Sequence, residues 1–292
     1  MLQVARLAPN LLHEAGEKVV DFLQGELNDD GGYKDRSGQS DLYYTVFGLE
    51  GMTAMQAELP VDRVGEYLRG FGDGADLDLV HLACLARCWA NLGRGVLEVE
   101  TGRRILERIE GHRSEDGGYG ASLGGGSDGG VRGTAYHSFL AFGAYQDLRE
   151  TVPDGERLAS CLSRLRSKDG AFGNEAGMAM GTTPTTAAVV TLMRQLGAAV
   201  PGELGDWLLA RCHPAGGFLA MPEAPMPDLL STATALHALA GMQVSFEGVK
   251  ESCLDFVDSL WTGKAFCGSW ADDAQDCEYT YYALLALGHL SL

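Results

Sequence analysis

Apolar positions along the chain follow two regimes. Some stretches are striped. In E-R-L-A-S-C-L-S-R-L-R, Leu158, Cys161, Leu162 and Leu165 share one helical face while Glu156, Arg157, Ser163 and Arg164 face away. V-D-R-V-G-E-Y-L-R-G-F behaves the same way through Val61, Val64, Leu68 and Phe71. Other stretches are apolar all round and rich in small residues, which predicts helices buried on every side. Examples are P-T-T-A-A-V-V-T-L-M and L-L-S-T-A-T-A-L-H-A-L-A-G-M.

Between a striped and a buried stretch lies a recurring turn. Its versions are D-D-G-G-Y (29–33), E-D-G-G-Y (115–119), K-D-G-A-F (168–172), P-A-G-G-F (214–218) and K-A-F-C-G-S-W (264–270). A sixth buried run, D-L-V-H-L-A-C-L-A-R-C-W-A-N-L-G (78–93), follows a shortened loop without the glycine pair. Each unit therefore reads as an outer amphipathic helix, a tight turn and an inner helix, recurring roughly every 37 to 56 residues. The glycine pair suits a backbone at positive φ, and the aromatic after it is placed to plug the unit. No alternation bounded by turns appears, so β structure is not expected. The inner runs are too apolar to line an open solenoid's concave face. Closure into a ring, an all-α α6–α6 toroid of six hairpins spanning residues 1–292, fits better.

Composition narrows the partners. The chain has 292 residues, 46% hydrophobic, with a formal net charge of −18. Such a surface repels nucleic acid and anionic membranes. No apolar run reaches the length of a membrane span, and the N-terminus lacks a signal-peptide core, so a cytoplasmic protein is expected. The seven cysteines are scattered and contain no C-x-x-C pair, which argues against both a disulfide framework and a zinc ribbon.

The repeat "acidic-x-G-G-aromatic, polar loop, small-residue inner helix" resembles the β subunits of protein prenyltransferases and the related squalene and terpene cyclases. The resemblance spans about residues 15 to 290. It implies a toroid whose aromatic-lined cavity holds an isoprenoid, with function at the N-terminal ends of inner helices. In prenyltransferases a zinc ion is held there by Asp, Cys and His. Asp228 matches the Asp, but Leu230 stands at the Cys position and Tyr279 at the His position. Met221 and Ala224 stand where the diphosphate-binding Arg and Lys would lie, and Ala179 or Met180 replaces a further His. A catalytic zinc needs three protein ligands, so zinc and a standard protein prenyltransferase are not expected. The cyclase branch uses a D-x-D-D acid instead. That motif does not occur, although Asp228 and the D-L-D-L of 76–79 echo it.

Candidate chemistry follows. Asp228 reads either as a helix N-cap, with Ser231 and Thr232 in the first turn, or as a cap that is also a catalytic acid, which needs a pKa raised by burial or a like charge. Asp272, Asp273 and Asp276 spell D-D-x-x-D, a pattern that can hold Mg²⁺ and diphosphate if the carboxylates share a helical face. The bland alternative is an acidic first turn favoured by the helix dipole. Tyr43, Tyr44, Trp89, Tyr136, His137, Tyr279 and Tyr282 are candidate substrate-binding residues on the inner wall, where ordinary packing competes. His237 and His289 read as core residues. Arg132 is read as the only cation close to an inner-helix start and could meet an anionic ligand. The glycine-rich stretch 118–133 reads as a lid or a plain excursion. Three functions stay open: an enzyme for prenyl transfer or cyclisation of an isoprenoid, a noncatalytic carrier of an isoprenoid or other apolar molecule, and a module that docks a helical protein partner or a second copy.

Overall fold

A computed structural model describes residues 1–121 and 132–292. The candidate lid of 118–133 lies mostly outside the described residues. Two short helices, α1 (Leu2–Ala5) and α2 (Pro9–Leu12), come first. Six hairpins follow, each an outer then an inner helix: α3 (Ala15–Gly25) with α4 (Leu42–Ala54), α5 (Val61–Arg69) with α6 (Leu79–Leu92), α7 (Val99–Glu110) with α8 (Ala135–Asp147), α9 (Gly155–Ser163) with α10 (Thr183–Gln195), α11 (Glu203–Leu209) with α12 (Leu229–Gly241), and α13 (Lys250–Ser259) with α14 (Cys277–Leu290). The chain forms two compact units. Residues 1–60 and 202–292 make the first, and residues 61–201 make the second. In the first, α14 packs against both α4 and α12; in the second, α8 packs against both α6 and α10.

The two apolar regimes become the two helix classes. On α9, Leu158, Cys161 and Leu162 are buried, whereas α12 buries residues on all its faces. Each fully buried Leu or Phe contributes about 1.5–3 kcal/mol, and both helix classes carry such residues. Burial creates a second demand, because the first N–H groups of a buried helix cannot reach water. The sequence meets it the same way six times: Asp41, Asp78, Thr134, Thr182, Asp228 and Asp276 are extended N-caps whose side chains accept backbone N–H bonds.

The turn is tied to the same place. The aromatic after the glycines is almost fully buried in Tyr33, Tyr119, Phe172, Phe218 and Phe266. Four of these donate their backbone N–H to a hydroxyl four residues after the cap: Tyr33 to Thr45 at 3.0 Å, Tyr119 to Ser138 at 3.1 Å, Phe172 to Thr186 at 3.1 Å and Phe218 to Thr232 at 2.9 Å. In the second repeat, which lacks the turn, that position is Leu82.

Some β structure does occur, contrary to expectation. The turns close through isolated antiparallel bridges such as Arg113 to Tyr119 and Arg166 to Phe172. The first repeat adds a two-residue pair, β1 (Tyr33–Lys34) with β2 (Ser40–Asp41). Such pieces are too short to show an alternating pattern.

Glycine is required at Gly216. Its φ is +88°, and a Cβ there would collide with the carbonyl oxygen of Ser252 on α13. Gly216→Ala is expected to cost about 3 kcal/mol of stability, combining left-handed strain with overpacking against backbone. A urea titration checks this. Gly248→Ala, which meets nothing within 4 Å, should change stability far less.

Candidate active site

The starts of α4, α12 and α14 bring the sequence candidates of the first unit together. Tyr43 stands over Phe47 with ring centroids 4.9 Å apart, and Phe47 reaches Tyr282 at 5.5 Å. Tyr282 meets Tyr279 at 6.5 Å, and Tyr44 packs edge-on to Tyr43 at 5.7 Å. These rings form one continuous aromatic wall. Burial pushes the phenols of Tyr44 and Tyr279 up to about 12, so both stay neutral near pH 7.

Asp228 meets this group of rings at Tyr279, whose phenol its charge helps to push up. Its Oδ1 accepts the Ser231 backbone N–H at 2.7 Å, and its Oδ2 accepts the Ser231 hydroxyl at 2.7 Å. The cap reading therefore holds. Burial nevertheless outweighs these bonds and raises the Asp228 pKa. Asp78, the cap of α6, goes the other way: burial pushes it up, but the His81 backbone N–H and ring outweigh burial and its pKa falls. Two aspartates in the same structural position thus differ because one is half enclosed and the other is largely exposed. The charge of Asp228 also acts on Tyr279.

Glu278, which the sequence reading passed over, is a second such carboxyl. It occupies the first turn of α14, and the Tyr43 hydroxyl donates to its Oε1 at 2.6 Å. Burial raises its pKa against that bond, and the neighbouring Asp276 charge adds to the rise. One signal for it was present: an acidic residue two positions past a cap in an otherwise apolar inner helix.

The D-D-x-x-D stretch adopts a different geometry from the helical face expected of it. Residues 272–275 are not helical, and helix α14 begins only after Asp276, its cap. Arg36, from the turn between β1 and β2, takes the oxygens a cation would need. Its Nη2 donates to Asp272 Oδ2 at 2.8 Å and its Nε to Asp276 Oδ2 at 2.8 Å, while its guanidinium lies 5.4 Å from the Tyr279 ring centroid. Asp273 points to solvent as an exposed residue. Among the described residues no three His, Cys, Asp or Glu side chains are grouped to hold a metal ion. Leu230, two residues after Asp228, and Tyr279, in the first turn of α14, offer neither a thiolate nor an imidazole beside it. Arg36, paired with the cap of α14, also corrects the expectation that Arg132 is the only cation close to an inner-helix start. Arg132 is exposed two residues before the Thr134 cap.

The remaining candidates lie in the second unit. Tyr136 is 43% exposed, and its ring meets His137 edge-on at 5.5 Å. His137 bonds the Thr134 hydroxyl at 2.8 Å, and burial lowers its pKa. Trp89 lies far along α6 and lines a cleft of about 760 Å³ with Leu97, Leu106 and Tyr145. It is not brought together with Tyr136 and His137 at the helix starts. His237 and His289 bond each other at 3.0 Å inside the first unit, as core residues do, and burial lowers His289 to about 4.

The prenyltransferase alpha-alpha toroid domain matches residues 15–84, 85–196 and 190–291. The chain belongs to that family, and its fold class is the all-α toroid. The type II terpene cyclase MstE from Scytonema is 14% identical, with a TM-score of 0.63, over 97% of this chain and 98% of that one. The Candida albicans protein geranylgeranyltransferase-I complexed with GGPP is 12% identical, with a TM-score of 0.61, over 92% and 89% of the two chains. A protein from Actinoplanes is 16% identical, with a TM-score of 0.57, over 95% and 98%. These likenesses establish the fold. Comparison with curated proteins finds no match. No helix among the described residues is long and apolar enough to cross a membrane.

Two substitutions test the geometry by thermal or denaturant unfolding. Arg36→Met leaves the 3%-exposed Asp276 side chain without its cation and is expected to cost about 2 kcal/mol, below the 3–5 typical of a fully buried pair because Arg36 itself is partly exposed. Asp228→Asn keeps a good N-cap and is expected to change stability at pH 7 by less than about 1 kcal/mol. The sign follows from linkage. A carboxyl whose folded pKa is raised binds its proton more tightly when folded, so its contribution falls as pH rises from the unfolded value through the folded one. The Asn variant should lose that part of the pH dependence.

Proposed function

We propose that this protein is an isoprenoid-processing enzyme of the cyclising type, working by proton transfer rather than through a metal. The observation that carries the reading is Asp228: a half-enclosed carboxyl with a raised pKa, held at an inner-helix start beside a wall of neutral aromatic rings. A carboxylic acid that stays protonated further toward neutrality is a better general acid. It would donate its Oδ2 proton to a terminal alkene carbon or an epoxide oxygen, the Ser231 hydroxyl turning to accommodate either state. The resulting carbocation would close rings by forming carbon–carbon bonds and end by losing a proton to a base. Aromatic faces stabilise such a cation by about 2 kcal/mol each when water is excluded. Tyr43, Phe47, Tyr279 and Tyr282 are the faces assigned to that work, and Glu278 is the second carboxyl at the same edge.

The likeness to a type II terpene cyclase supports the cyclising branch, while the likeness to a geranylgeranyltransferase complexed with GGPP keeps an isoprenoid as the substrate class. Arg36 across Asp272 and Asp276 argues against a magnesium-bridged diphosphate at that stretch. The test is incubation of purified protein with geranylgeranyl diphosphate and with a polyprenyl epoxide, products being read by gas chromatography and mass spectrometry. Cyclic products are expected, formed equally in EDTA and lost in Asp228→Asn. The rate should fall as pH rises through the raised Asp228 pKa. Full turnover by Asp228→Asn, with Glu278→Gln inactive, would move the acid to Glu278; full turnover by both variants would end the proposal.

A further inference from the structure

Two cysteines of the first unit break the repeat and meet where they do so. The bridge that closes each turn starts from Leu27, Arg113, Arg166 and Trp261 in four hairpins and from Cys212 in the fifth. Aligned on those residues, one fully buried position of the outer helices reads Val19, Ile105, Leu158 and Leu204, and on α13 it reads Cys253. The fifth turn lies against α13 at this point. A Cβ on Gly216 would lie 3.2 Å from the Cys253 backbone nitrogen, and one on Gly217 would lie 2.6 Å from the Phe256 ring. The Gly217 backbone N–H reaches the Cys253 sulfur, and the Cys212 and Cys253 side chains hydrogen-bond to each other.

The two thiols are not equivalent. Cys212 is partly exposed, whereas the other six cysteines among the described residues are buried. The bond from Cys253 lowers the Cys212 pKa against its burial, and the same bond, followed by burial, raises Cys253. Cys161, Cys267 and Cys277 are all raised, with burial as the leading cause. Cys212 is therefore placed to react as the thiolate, with a protonated thiol held beside it. A metal does not fit the pair, since zinc needs at least three protein ligands and no such group occurs among the described residues.

We propose that Cys212 and Cys253 form a reversible dithiol–disulfide pair, oxidised by a small hydroperoxide and reduced by a thiol, that ties the fifth turn to α13. The Cys212 thiolate attacks the hydroxyl-bearing oxygen of the peroxide. The O–O bond breaks, and the other oxygen takes up a proton and leaves as an alcohol or water. Cys212 is then a sulfenic acid, oxidised by two electrons. The Cys253 sulfur forms the S–S bond, and the expelled hydroxyl leaves with the Cys253 proton as water. Two molecules of a thiol reductant restore both side chains and leave as their own disulfide. The position gives the bond a consequence. Cys212 bridges Phe218, and Phe218 bridges Asp228, whose N–H donates to the Phe218 carbonyl at 3.2 Å. The disulfide would fasten this ladder to the next outer helix. Any effect on proton donation rests on the function proposed above, but the thiol chemistry does not.

The test treats the purified full chain with hydrogen peroxide, blocks remaining thiols with N-ethylmaleimide in denaturant, and maps the peptides by mass spectrometry. Loss of two of the seven alkylatable thiols is expected, with one cross-linked peptide pair containing Cys212 and Cys253, reversed by dithiothreitol. Cys253→Val installs the residue of the first hairpin, Val19, so the variant is expected to fold. It should form no cross-link and should accumulate a dimedone-reactive sulfenic acid at Cys212. Seven alkylatable thiols after excess peroxide would overturn the proposal. So would a cross-link through other cysteines, or sulfenic acid in the Cys253→Val variant confined to sites other than Cys212. The readout is of thiols alone, so failure here is distinct from failure of the cyclisation assay.

Discussion

The structure depends on how a helix that is buried on every side satisfies its first N–H groups. Such a helix cannot borrow water, and an unpaired buried donor costs about 1–3 kcal/mol. The chain answers with an Asp or Thr cap at each inner helix and, in four hairpins, with a hydroxyl four residues later that accepts the N–H of the turn aromatic. Cap, hydroxyl and aromatic fix the turn, and the turn fixes the approach of the outer helix. The glycines are then needed because the turn must lie flat against the next hairpin.

This requirement places acidic groups at the inner-helix starts whatever the protein does. An aspartate there is first a piece of backbone chemistry. What distinguishes one cap from another is its surroundings. Asp276 is almost fully buried but answered by Arg36, and Asp78 is bonded by His81 and largely open to water. Asp228 has only the Ser231 hydroxyl and the backbone N–H groups of Ser231 and Leu230 to oppose its burial, and among the described residues no cation pairs with it. The functional reading therefore rests on a difference among caps and not on the presence of a carboxylate.

The fold was legible because it repeats. Periodicity marked the outer helices, unbroken apolarity marked the inner ones, and the glycine pairs marked the turns. Aromatic residues at the starts of α4 and α14 could be listed from sequence because both helices begin at a repeat boundary. What escaped has one physical character: contacts between residues far apart in the chain. Arg36 lies 240 residues from Asp276, and nothing in the local sequence says that a hairpin arginine will sit on the last inner helix. Glu278 escaped because its partner, Tyr43, is 235 residues away. The helical face assumed for Asp272, Asp273 and Asp276 failed for a local reason. Asp276 is itself the cap, so the residues before it lie outside the helix.

Departures from a repeat carry more information than the repeat itself. A position that is Thr or Ser in five hairpins and Leu82 in the second marks a hydrogen bond that is no longer made. The same loop, residues 71–78, has no adjacent glycine pair and no aromatic after its glycines, and it meets α7 instead through Asp73, which accepts from Arg108 Nη2 at 2.9 Å. Asp228 is a departure of this kind among the caps, since a cap left half enclosed without a cation is costly for stability and useful for moving a proton.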